Sequence, residues 1–388
     1  MLFRSAETEV VVKAARARPH EQVGRFAIVL ALLGGAFVAD VNTGYELSSS
    51  LFYIVPVVFT AWFLGRPLGL VVAVTSAVMW LVAQRVDGLS LSKPSTLYLN
   101  AGVECAIYLA TAWAVARANA DRIVERRLSA QVAQANEVLD REARAVGQLQ
   151  RDLLPQQLPL ARGFVWEIHY ATSTRAGGDY YDAFPLPDGR LGIIVADATG
   201  HGAPAAVLMA MAKALLGAEP ESLFPPSRVF TRLNLQLGRM LPAGWFLTAC
   251  YVIVDPEDGH MEYALAGHEA PVIVRAPTGA AEQLPNCGGL PLGPFPDHRY
   301  ETAVAVLEPG DTLVLFTDGV TETMSPDHEL FGIERLQDTL KGTATATLED
   351  VKLRLLATLD AHAVGAPIAD DTTILMLRRL GRHKAEGA

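Results

Sequence analysis

The sequence predicts an α+β fold for the C-terminal half of the chain and an all-α transmembrane domain for the N-terminal part. The C-terminal half alternates short β-branched runs with tight turns such as Pro187-Asp188-Gly189, which is typical of antiparallel strands. Four long apolar runs occupy the first 116 residues, and a charged amphipathic stretch follows them. Five regions are predicted: a cytoplasmic tail (1–22), a transmembrane domain of four helices (23–116), a helical linker (117–155), an α+β domain (156–380) and a C-terminal tail (381–388).

Composition excludes several classes of protein. The formal net charge of −10, without a stripe of Arg and Lys, argues against a nucleic-acid partner. A mean hydropathy of +0.24 points to membrane segments. Cys105, Cys250 and Cys287 are far apart and lack metal-ligand spacing, so we expect neither a disulfide framework nor a zinc site.

The apolar runs have the lengths of membrane helices. The third and fourth are long enough to cross a hydrocarbon core of about 30 Å. The second reaches that length with the four residues before it, and the first, by length alone, is equally consistent with a buried helix. The uncharged runs are 26–39, 51–65 and 67–84, and the fourth run, 96–116, contains one charge, Glu104.

Basic residues set the predicted topology. They cluster before the first run, in the turn between the second and third, and after the fourth, whereas the opposite side carries only Arg85 and Lys93. With four spans, the positive-inside rule then places both termini in the cytoplasm. Glu104 is the one ionisable residue inside the predicted spans. Two interpretations stay open for it, a contact in a ligand pocket and a packing hydrogen bond.

Residues 117–153 contain no Pro and a single Gly, and they predict one long amphipathic helix. A parallel coiled coil, and with it a homodimer, is one interpretation, and a solvated spacer helix is the other. Pro155 ends the helix. The apolar positions are Ile123, Leu128, Val132, Leu139, Val146, Leu149 and Leu153.

The α+β domain is predicted element by element. Strands are expected at 164–171, 190–197, 247–254, 260–266, 271–275, 311–317 and 372–378. Helices are expected at 203–217, 226–240, 332–340 and 348–362.

Four aspartates lie at strand ends beside glycines, and they are the main functional signal. Asp197 follows a buried strand, Asp318 follows another, and Asp179 and Asp370 lie in Gly-Gly-Asp and Asp-Asp-Thr-Thr. Carboxylates are the ligands that Mg²⁺ and Mn²⁺ prefer, and burying so much like charge requires a cation. Any one of them alone would be read as a turn residue.

The ordered motifs resemble those of metal-dependent protein serine/threonine phosphatases of the PPM type, in their bacterial SpoIIE/RsbU-like branch. The resemblance covers residues 145–380. It implies an α-β-β-α sandwich of two antiparallel sheets with two Mn²⁺ or Mg²⁺ ions at one edge. The motifs are Gly-Gly-Asp-Tyr-Tyr-Asp (177–182), Ala-Asp-Ala-Thr-Gly-His-Gly (196–202), Ala-Gly-His (266–268), Pro-Gly-Asp-Thr-Leu (309–313), Thr-Asp-Gly-Val-Thr-Glu (317–322) and Asp-Asp-Thr-Thr (370–373).

The resemblance also implies roles for residues. Asp197 would bridge both ions, and a water attacks phosphorus without a protein nucleophile. His201 would donate a proton to the leaving group, orient a neighbouring group of the site, or be a turn residue without a chemical role, and His268 reads as structural. Arg175 is a candidate phosphate contact. The implied metal ligands are Asp179, Asp197, the Ala198 carbonyl, Asp318 and Asp370 (or Asp371).

The implied substrate is a phosphoserine or phosphothreonine on a partner protein, in this branch a STAS-domain anti-anti-sigma factor. The alternative is a catalytically silent membrane receptor that uses the fold as a binding module. The intact aspartate set argues against this alternative. A transporter is disfavoured because the few short-looped spans contain a single carboxylate.

Overall fold

The computed structural model describes residues 19–43, 50–86, 94–218, 225–365 and 370–381. The chain divides into two compact units, Met1–Ala135 and Asn136–Ala388. The division falls inside one long helix, within the predicted linker. Most of the two predicted tails, 1–18 and 382–388, lies outside the described residues.

The N-terminal unit is helical, as its hydropathy predicts. Three of its helices are long and apolar enough to cross a membrane, whereas α2, with 14 residues, is only about 21 Å long. Residues 47–49, which would lengthen the second span, lie outside the described residues. A four-span topology therefore stays a prediction. The helices are α1 (Pro19–Thr43), α2 (Ser50–Phe63), α3 (Arg66–Val86) and α4 (Pro94–Leu153).

Small residues bring α2 and α3 close together. A Cβ on Gly69 would lie 2.9 Å from Ala61, so only glycine permits this approach. The interior of the unit also holds a carboxylate that the sequence analysis missed. Asp40 is fully buried and accepts a hydrogen bond from the Tyr53 hydroxyl at 3.1 Å, whereas Glu104 is only half-buried. Glu104 is therefore not the only ionisable candidate in this unit.

The C-terminal unit contains two five-stranded antiparallel sheets. The first has the order β1-β10-β9-β6-β7 and the second the order β2-β3-β4-β5-β8. The strands are β1 (Phe164–Ala171), β2 (Tyr180–Pro185), β3 (Leu191–Ala198), β4 (Leu247–Val254), β5 (His260–Ala266), β6 (Val272–Val274), β7 (Ala281–Gln283), β8 (Ala303–Val306), β9 (Thr312–Phe316) and β10 (Thr372–Arg379).

Helices pack against both sheets. Two of them, α5 and α6, pack on the second sheet, and α8 and α9 pack on the first. The α-β-β-α sandwich predicted from the resemblance is thereby confirmed. The main core contains side chains of both sheets, such as Ile193 and Leu375. The helices are α5 (Ala203–Gly217), α6 (Pro226–Met240), α7 (Asp318–Thr321), α8 (Gly332–Leu340) and α9 (Leu348–Ala363).

Three strands were not predicted, namely β2, β7 and β8. The first contains Asp182 and ends at Pro185, two residue types that are depleted in strands. The other two are the outermost strands of their sheets, β7 with three residues and β8 with four. Short edge strands have few apolar positions, so their periodicity is too weak to predict them.

Candidate metal centre

Antiparallel pairing brings two of the aspartates, Asp179 and Asp197, together at one edge of the second sheet. Asp179 directly precedes β2, and Asp197 is the last residue but one of β3. Tyr180 pairs with Ala196, so the beginning of β2 lies beside the end of β3. Asp179 and Asp197 are therefore neighbours, although eighteen positions separate them in the sequence.

The first sheet repeats this arrangement. Asp318 follows β9, and Asp370 and Asp371 precede β10. Ile374 pairs with Phe316, so the end of β9 meets the beginning of β10. Asp197 and Asp318 thus lie where strands end, whereas Asp179, Asp370 and Asp371 precede strands, and antiparallel pairing brings both kinds to the same edge.

Asp179 links the two sheets. It is buried, and its Oδ2 accepts hydrogen bonds from the hydroxyls of Thr317 at 2.8 Å and Thr373 at 2.5 Å. Its Oδ1 is also buried and has no hydrogen-bond partner. A buried carboxylate oxygen without a donor is costly unless a cation coordinates it. The unpartnered Oδ1 of Asp179 is therefore consistent with a site for a divalent metal ion.

Burial and the charges of neighbouring carboxylates raise the pKa values of the aspartates at this edge. Burial raises the pKa of Asp197 well above its ordinary value, and the charges of Asp179, Asp318 and Asp370 raise it further. Burial likewise raises the pKa of Asp179, although the two threonine hydroxyls oppose the shift. For Asp318, burial and then the charges of Asp370 and Glu322 raise the pKa to about 6. A cation at this edge would relieve the repulsion.

Among the residues that the structure describes, no group of three or more Asp, Glu, His or Cys side chains is arranged closely enough to hold a metal ion. The donor set is instead spread along the edge. Gly178 brings two of its members together. A Cβ on this glycine would lie 2.5 Å from the Ala198 carbonyl oxygen and 3.0 Å from Asp197 Oδ1. The two predicted donors of this segment therefore lie close to each other.

Asp370 and Asp371 are adjacent but differ in environment. Asp371 is buried, and its two oxygens accept hydrogen bonds from the backbone N–H groups of Ser173 at 2.8 Å and Gly178 at 2.6 Å. Asp370 is exposed, and its Oδ1 accepts a hydrogen bond from the Asp371 N–H at 2.8 Å. The lone pairs of Asp370 are less engaged, which favours it over Asp371 as the candidate ligand.

The other predicted site residues have different positions. His201 is exposed in the turn between β3 and α5. Arg175 forms an ion pair with Asp140 of α4 at 2.9 Å, so its guanidinium contacts the long helix. His268 is buried, its Nδ1 lies 2.8 Å from Thr248 Oγ1, and burial lowers the pKa of His268 to about 4. Its ring is therefore neutral at physiological pH.

A cavity of about 340 Å³ opens beside Asp318. Polar and acidic groups line it, so it can admit a polar or charged group. The cavity lies next to the aspartate edge, the set formed by Asp179, Asp197, Asp318 and Asp370. Its lining includes Thr248, His268, Glu269, Asp318 and Glu322.

Sequence reasoning missed three residues that contact the aspartate-bearing segments. Thr317 and Thr373 donate hydrogen bonds to Asp179, and each lies within a motif in which only the aspartates are predicted site residues. Gln150, on the last turn of α4, hydrogen-bonds to the backbone of Gly177. The signal for Gln150 was weak, because a polar residue near the end of an amphipathic helix is ordinarily exposed.

The two sheets, the helices that pack on them and the carboxylates at one edge define a PP2C-type phosphatase domain. The SiaA-PP2C domain of Pseudomonas aeruginosa is 26% identical, covers 63% of this chain and 99% of its own, and superposes with a TM-score of 0.56. The RsbU and RsbW domains of Rv1364c from Mycobacterium tuberculosis are 27% identical over 59% of this chain and 63% of theirs, with a TM-score of 0.51.

The family model described as stage II sporulation protein E (SpoIIE) matches residues 187–380, which is half of the chain. The chain therefore belongs to the SpoIIE family. This confirms the predicted phosphatase family, the α+β fold of the C-terminal unit and a protein serine/threonine phosphatase domain.

Two curated relatives show how far the likeness extends. Phosphoserine phosphatase RsbU of Bacillus subtilis is 29% identical over 241 residues, which are 61% of this chain and 70% of the relative. Protein IcfG of Synechocystis sp. is 27% identical over 261 residues, or 60% of this chain and 40% of the relative. The chain thus spans between two fifths and seven tenths of these relatives.

Proposed function

We propose that this protein is a membrane-anchored signalling phosphatase that hydrolyses phosphoserine or phosphothreonine on a partner protein. The observation that carries the proposal is the aspartate edge, with the unpartnered Oδ1 of Asp179 at its centre. A binding module would have no use for a carboxylate held in this costly state. The apolar helices of the N-terminal unit support the membrane anchor.

The residues proposed to hold two Mn²⁺ or Mg²⁺ ions are Asp179, Asp197, the Ala198 carbonyl, Asp318 and Asp370. Such cations supply charge neutralisation for phosphoryl oxygens and lower the pKa of an attacking water. The chain itself orients the ligands. The hydroxyls of Thr317 and Thr373 donate to Asp179 Oδ2, whereas Asp179 Oδ1 has no donor and is proposed to bind a cation.

His201 lies in the exposed turn that follows Asp197. In the proposed reaction an N–H group of its ring gives a proton to the departing serine or threonine oxygen, as general acids do. Arg175 is not assigned to the phosphate, because its guanidinium is paired with Asp140.

The proposed substrate is a STAS-domain anti-anti-sigma factor, which the family resemblance implies. The protein is proposed to act as a homodimer through α4. Apolar side chains at heptad spacing are exposed along this helix, namely Leu128, Val132, Leu139 and Leu149. A second copy of the helix would cover them in a parallel coiled coil.

The test of catalysis uses the full chain purified in detergent and a phosphoserine peptide. We expect Mn²⁺-dependent phosphate release that Asp318→Asn lowers by about 10³-fold, the scale for losing a group that stabilises the transition state. Asp258→Asn, at an exposed turn aspartate, is the matched control and should leave the rate unchanged. Equal rates for the two variants would refute the proposed site.

The catalytically silent receptor is the competing function. It would bind a phosphorylated partner tightly and release no phosphate from it at any Mn²⁺ concentration. The same assay therefore separates the two functions.

The dimer has its own test. Single cysteines along α4 should crosslink strongly at Val132 and Leu139 and weakly at positions on other faces of the helix. A uniformly low yield would contradict the coiled coil.

A further inference from the structure

The cavity of about 340 Å³ beside the aspartate edge is built by segments that have no role in the proposed function. Thr248 of β4 pairs with Asp197 of β3, so this wall of the cavity stands directly beside the aspartate edge. Thr248 Oγ1 lies 2.8 Å from His268 Nδ1. The N–H of Gly267 donates to the carbonyl of Gly289 at 2.9 Å. These contacts hold the walls together, so the cavity is a preformed feature of the domain.

The cavity is acidic. Glu269 and Glu322 are exposed and line it together with Asp318, and none of its described lining residues is Lys or Arg. Glu322 directly follows α7, and its N–H donates to the Asp318 carbonyl at 2.7 Å. Burial and the charge of Asp370 raise the pKa of Asp318 most. The charges of Glu322 and Glu269 raise this pKa further, so both carboxylates act on the aspartate edge.

The two glutamates have no partner that neutralises them. Neither forms an ion pair or a side-chain hydrogen bond within the described part of the chain. His268, which also lines the cavity, is 7% exposed, and its Nε2 has no hydrogen-bond partner among the described residues. A buried polar atom without a partner at the wall of a cavity favours a polar occupant. The two free carboxylates favour a cationic one, because complementary charges attract.

We propose that this cavity binds a lysine or arginine side chain of the phosphorylated partner, and that Glu269 and Glu322 thereby select phosphorylated residues with a basic neighbour. The proposal rests on the proposed function. The cavity begins at Asp318, one of the residues proposed to hold the ions that bind the phosphate. An extended chain advances about 3.3 Å per residue, so the basic residue lies within about four positions of the phosphorylated one.

The volume of the cavity suits a long basic side chain. About 340 Å³ equals the volume of roughly eleven water molecules, at about 30 Å³ each. A lysine or arginine carries its charge at the end of a flexible stem of methylene groups, and it fills such a space together with a few waters. A metal ion is the alternative occupant, and it would not discriminate between substrates with and without a basic residue.

The test is a cycle between enzyme variants and peptides, with the full chain in detergent and saturating Mn²⁺. The peptides contain one phosphoserine and differ in a single residue, Lys in one series and Ala in the other, at each position within about four residues of the phosphoserine. The enzyme variant is Glu269→Gln/Glu322→Gln, which keeps the size of both side chains and removes both charges. Glu308→Gln is the matched control, because Glu308 is exposed and precedes β9, whereas Asp318 follows the other end of that strand.

We expect the wild type to hydrolyse the best Lys peptide with a kcat/KM about 3- to 10-fold above that of its Ala counterpart, the scale of one or two exposed ion pairs. The preference should appear mainly in KM, because the flanking side chain binds equally well in the ground state and the transition state. It should fall below about twofold in the double variant, persist in Glu308→Gln, and weaken as the ionic strength rises.

Equal kcat/KM values for Lys and Ala peptides at every position in the wild type would overturn the proposal, whereas the proposed function would stand. A Lys preference that survives in the double variant would also overturn it, because the preference would then arise elsewhere. If the double variant binds fewer Mn²⁺ ions per chain and slows on both peptides equally, the cavity holds a metal ion instead of a basic side chain. Failure of the wild type to hydrolyse any of the peptides would contradict the proposed function itself.

Discussion

Asp40 in α1 and Asp179 before β2 have similar burial and hydrogen bonding, but they differ in the charges that lie near them. Each is buried, each accepts hydroxyl hydrogen bonds on Oδ2, and each has an Oδ1 without a partner in the described part of the chain. The difference is the charge around them. Asp179 experiences the charges of Asp371 and Asp318, whereas Asp40 packs in a helical unit whose interior is mostly Ala, Val and Tyr.

This difference shows how to interpret a buried carboxylate. A single carboxylate such as Asp40 can be buried with one hydroxyl donor, Tyr53, on one of its oxygens. Several carboxylates at one edge repel one another, and only a multivalent cation compensates all of them. The number of neighbouring charges, more than burial itself, therefore separates the candidate metal centre from an isolated polar contact.

The largest expected effect comes from the cluster. Asp197→Asn should lower phosphatase activity by about 10³-fold, because it removes one of the residues proposed to hold the cations. The same change should raise the Tm of the metal-free C-terminal unit by roughly 2–4 °C, because it removes one of the repelling charges. Activity assays and calorimetry without Mn²⁺ measure the two effects. A metal-free variant that is less stable than the wild type would contradict the repulsion.

The second prediction concerns pH. The folded-state pKa values of Asp179, Asp197 and Asp318 are raised, so the folded chain binds more protons than the unfolded chain above the ordinary aspartate range. Stability of the metal-free unit is then greatest at low pH. It falls as pH rises, first through the pKa of Asp318 at about 6 and then through the higher values of the other two.

Hydrogen exchange of the β3 peptide 191–198 measures this dependence. Without metal its protection should fall between pH 5 and pH 8, whereas saturating Mn²⁺ should flatten the profile. The same pH profile with and without Mn²⁺ would contradict the difference proposed between Asp179 and Asp40, because the cluster would then behave like an isolated carboxylate.

The sequence predicted the elements with strong periodicity. The predicted helices 203–217, 226–240 and 332–340 match the structure at both ends, and α4 ends at Leu153, before Pro155. Long segments with a clear apolar stripe and a helix breaker carry enough local information to define their limits. The edge strands β7 and β8 do not, because their formation depends on pairing with distant neighbours.

The site was predictable in part for a related reason. Each aspartate has a local signature, a glycine or an apolar strand beside it, and their order identified the family. Other contacts of the site have no such signature. They are the threonine hydroxyls on Asp179, the backbone donors to Asp371 and the hydrogen bonds of Gln150 to Gly177. They are contacts between segments far apart in the sequence, so only the folded structure shows them.

The third prediction separates two carboxylates inside the cluster. Asp371→Asn places an amide NH₂ against a backbone N–H, because both Asp371 oxygens accept from such donors. We expect a loss of about 1–3 kcal/mol in the free energy of unfolding, the cost of an unsatisfied buried group. Asp370→Asn should leave the unfolding free energy nearly unchanged and weaken Mn²⁺ binding instead.

Denaturant unfolding without metal and Mn²⁺ calorimetry distinguish these two outcomes. The reverse pattern, with Asp370 stabilising the fold and Asp371 binding Mn²⁺, would exchange their assigned roles.

The smallest expected effect is at Asp40. Asparagine has the same shape and its Oδ1 accepts equally well from the Tyr53 hydroxyl, so Asp40→Asn should shift the Tm of the N-terminal unit by no more than about 1 °C. Asp40→Leu leaves the Tyr53 hydroxyl without its acceptor and should cost about 1–3 kcal/mol. Thermal unfolding of the full chain in detergent, with and without Mn²⁺, measures both. A large loss in Asp40→Asn, or a Mn²⁺-dependent shift of this unit, would mean that Asp40 holds a charge that requires a cation. The contrast with Asp179 would then fail.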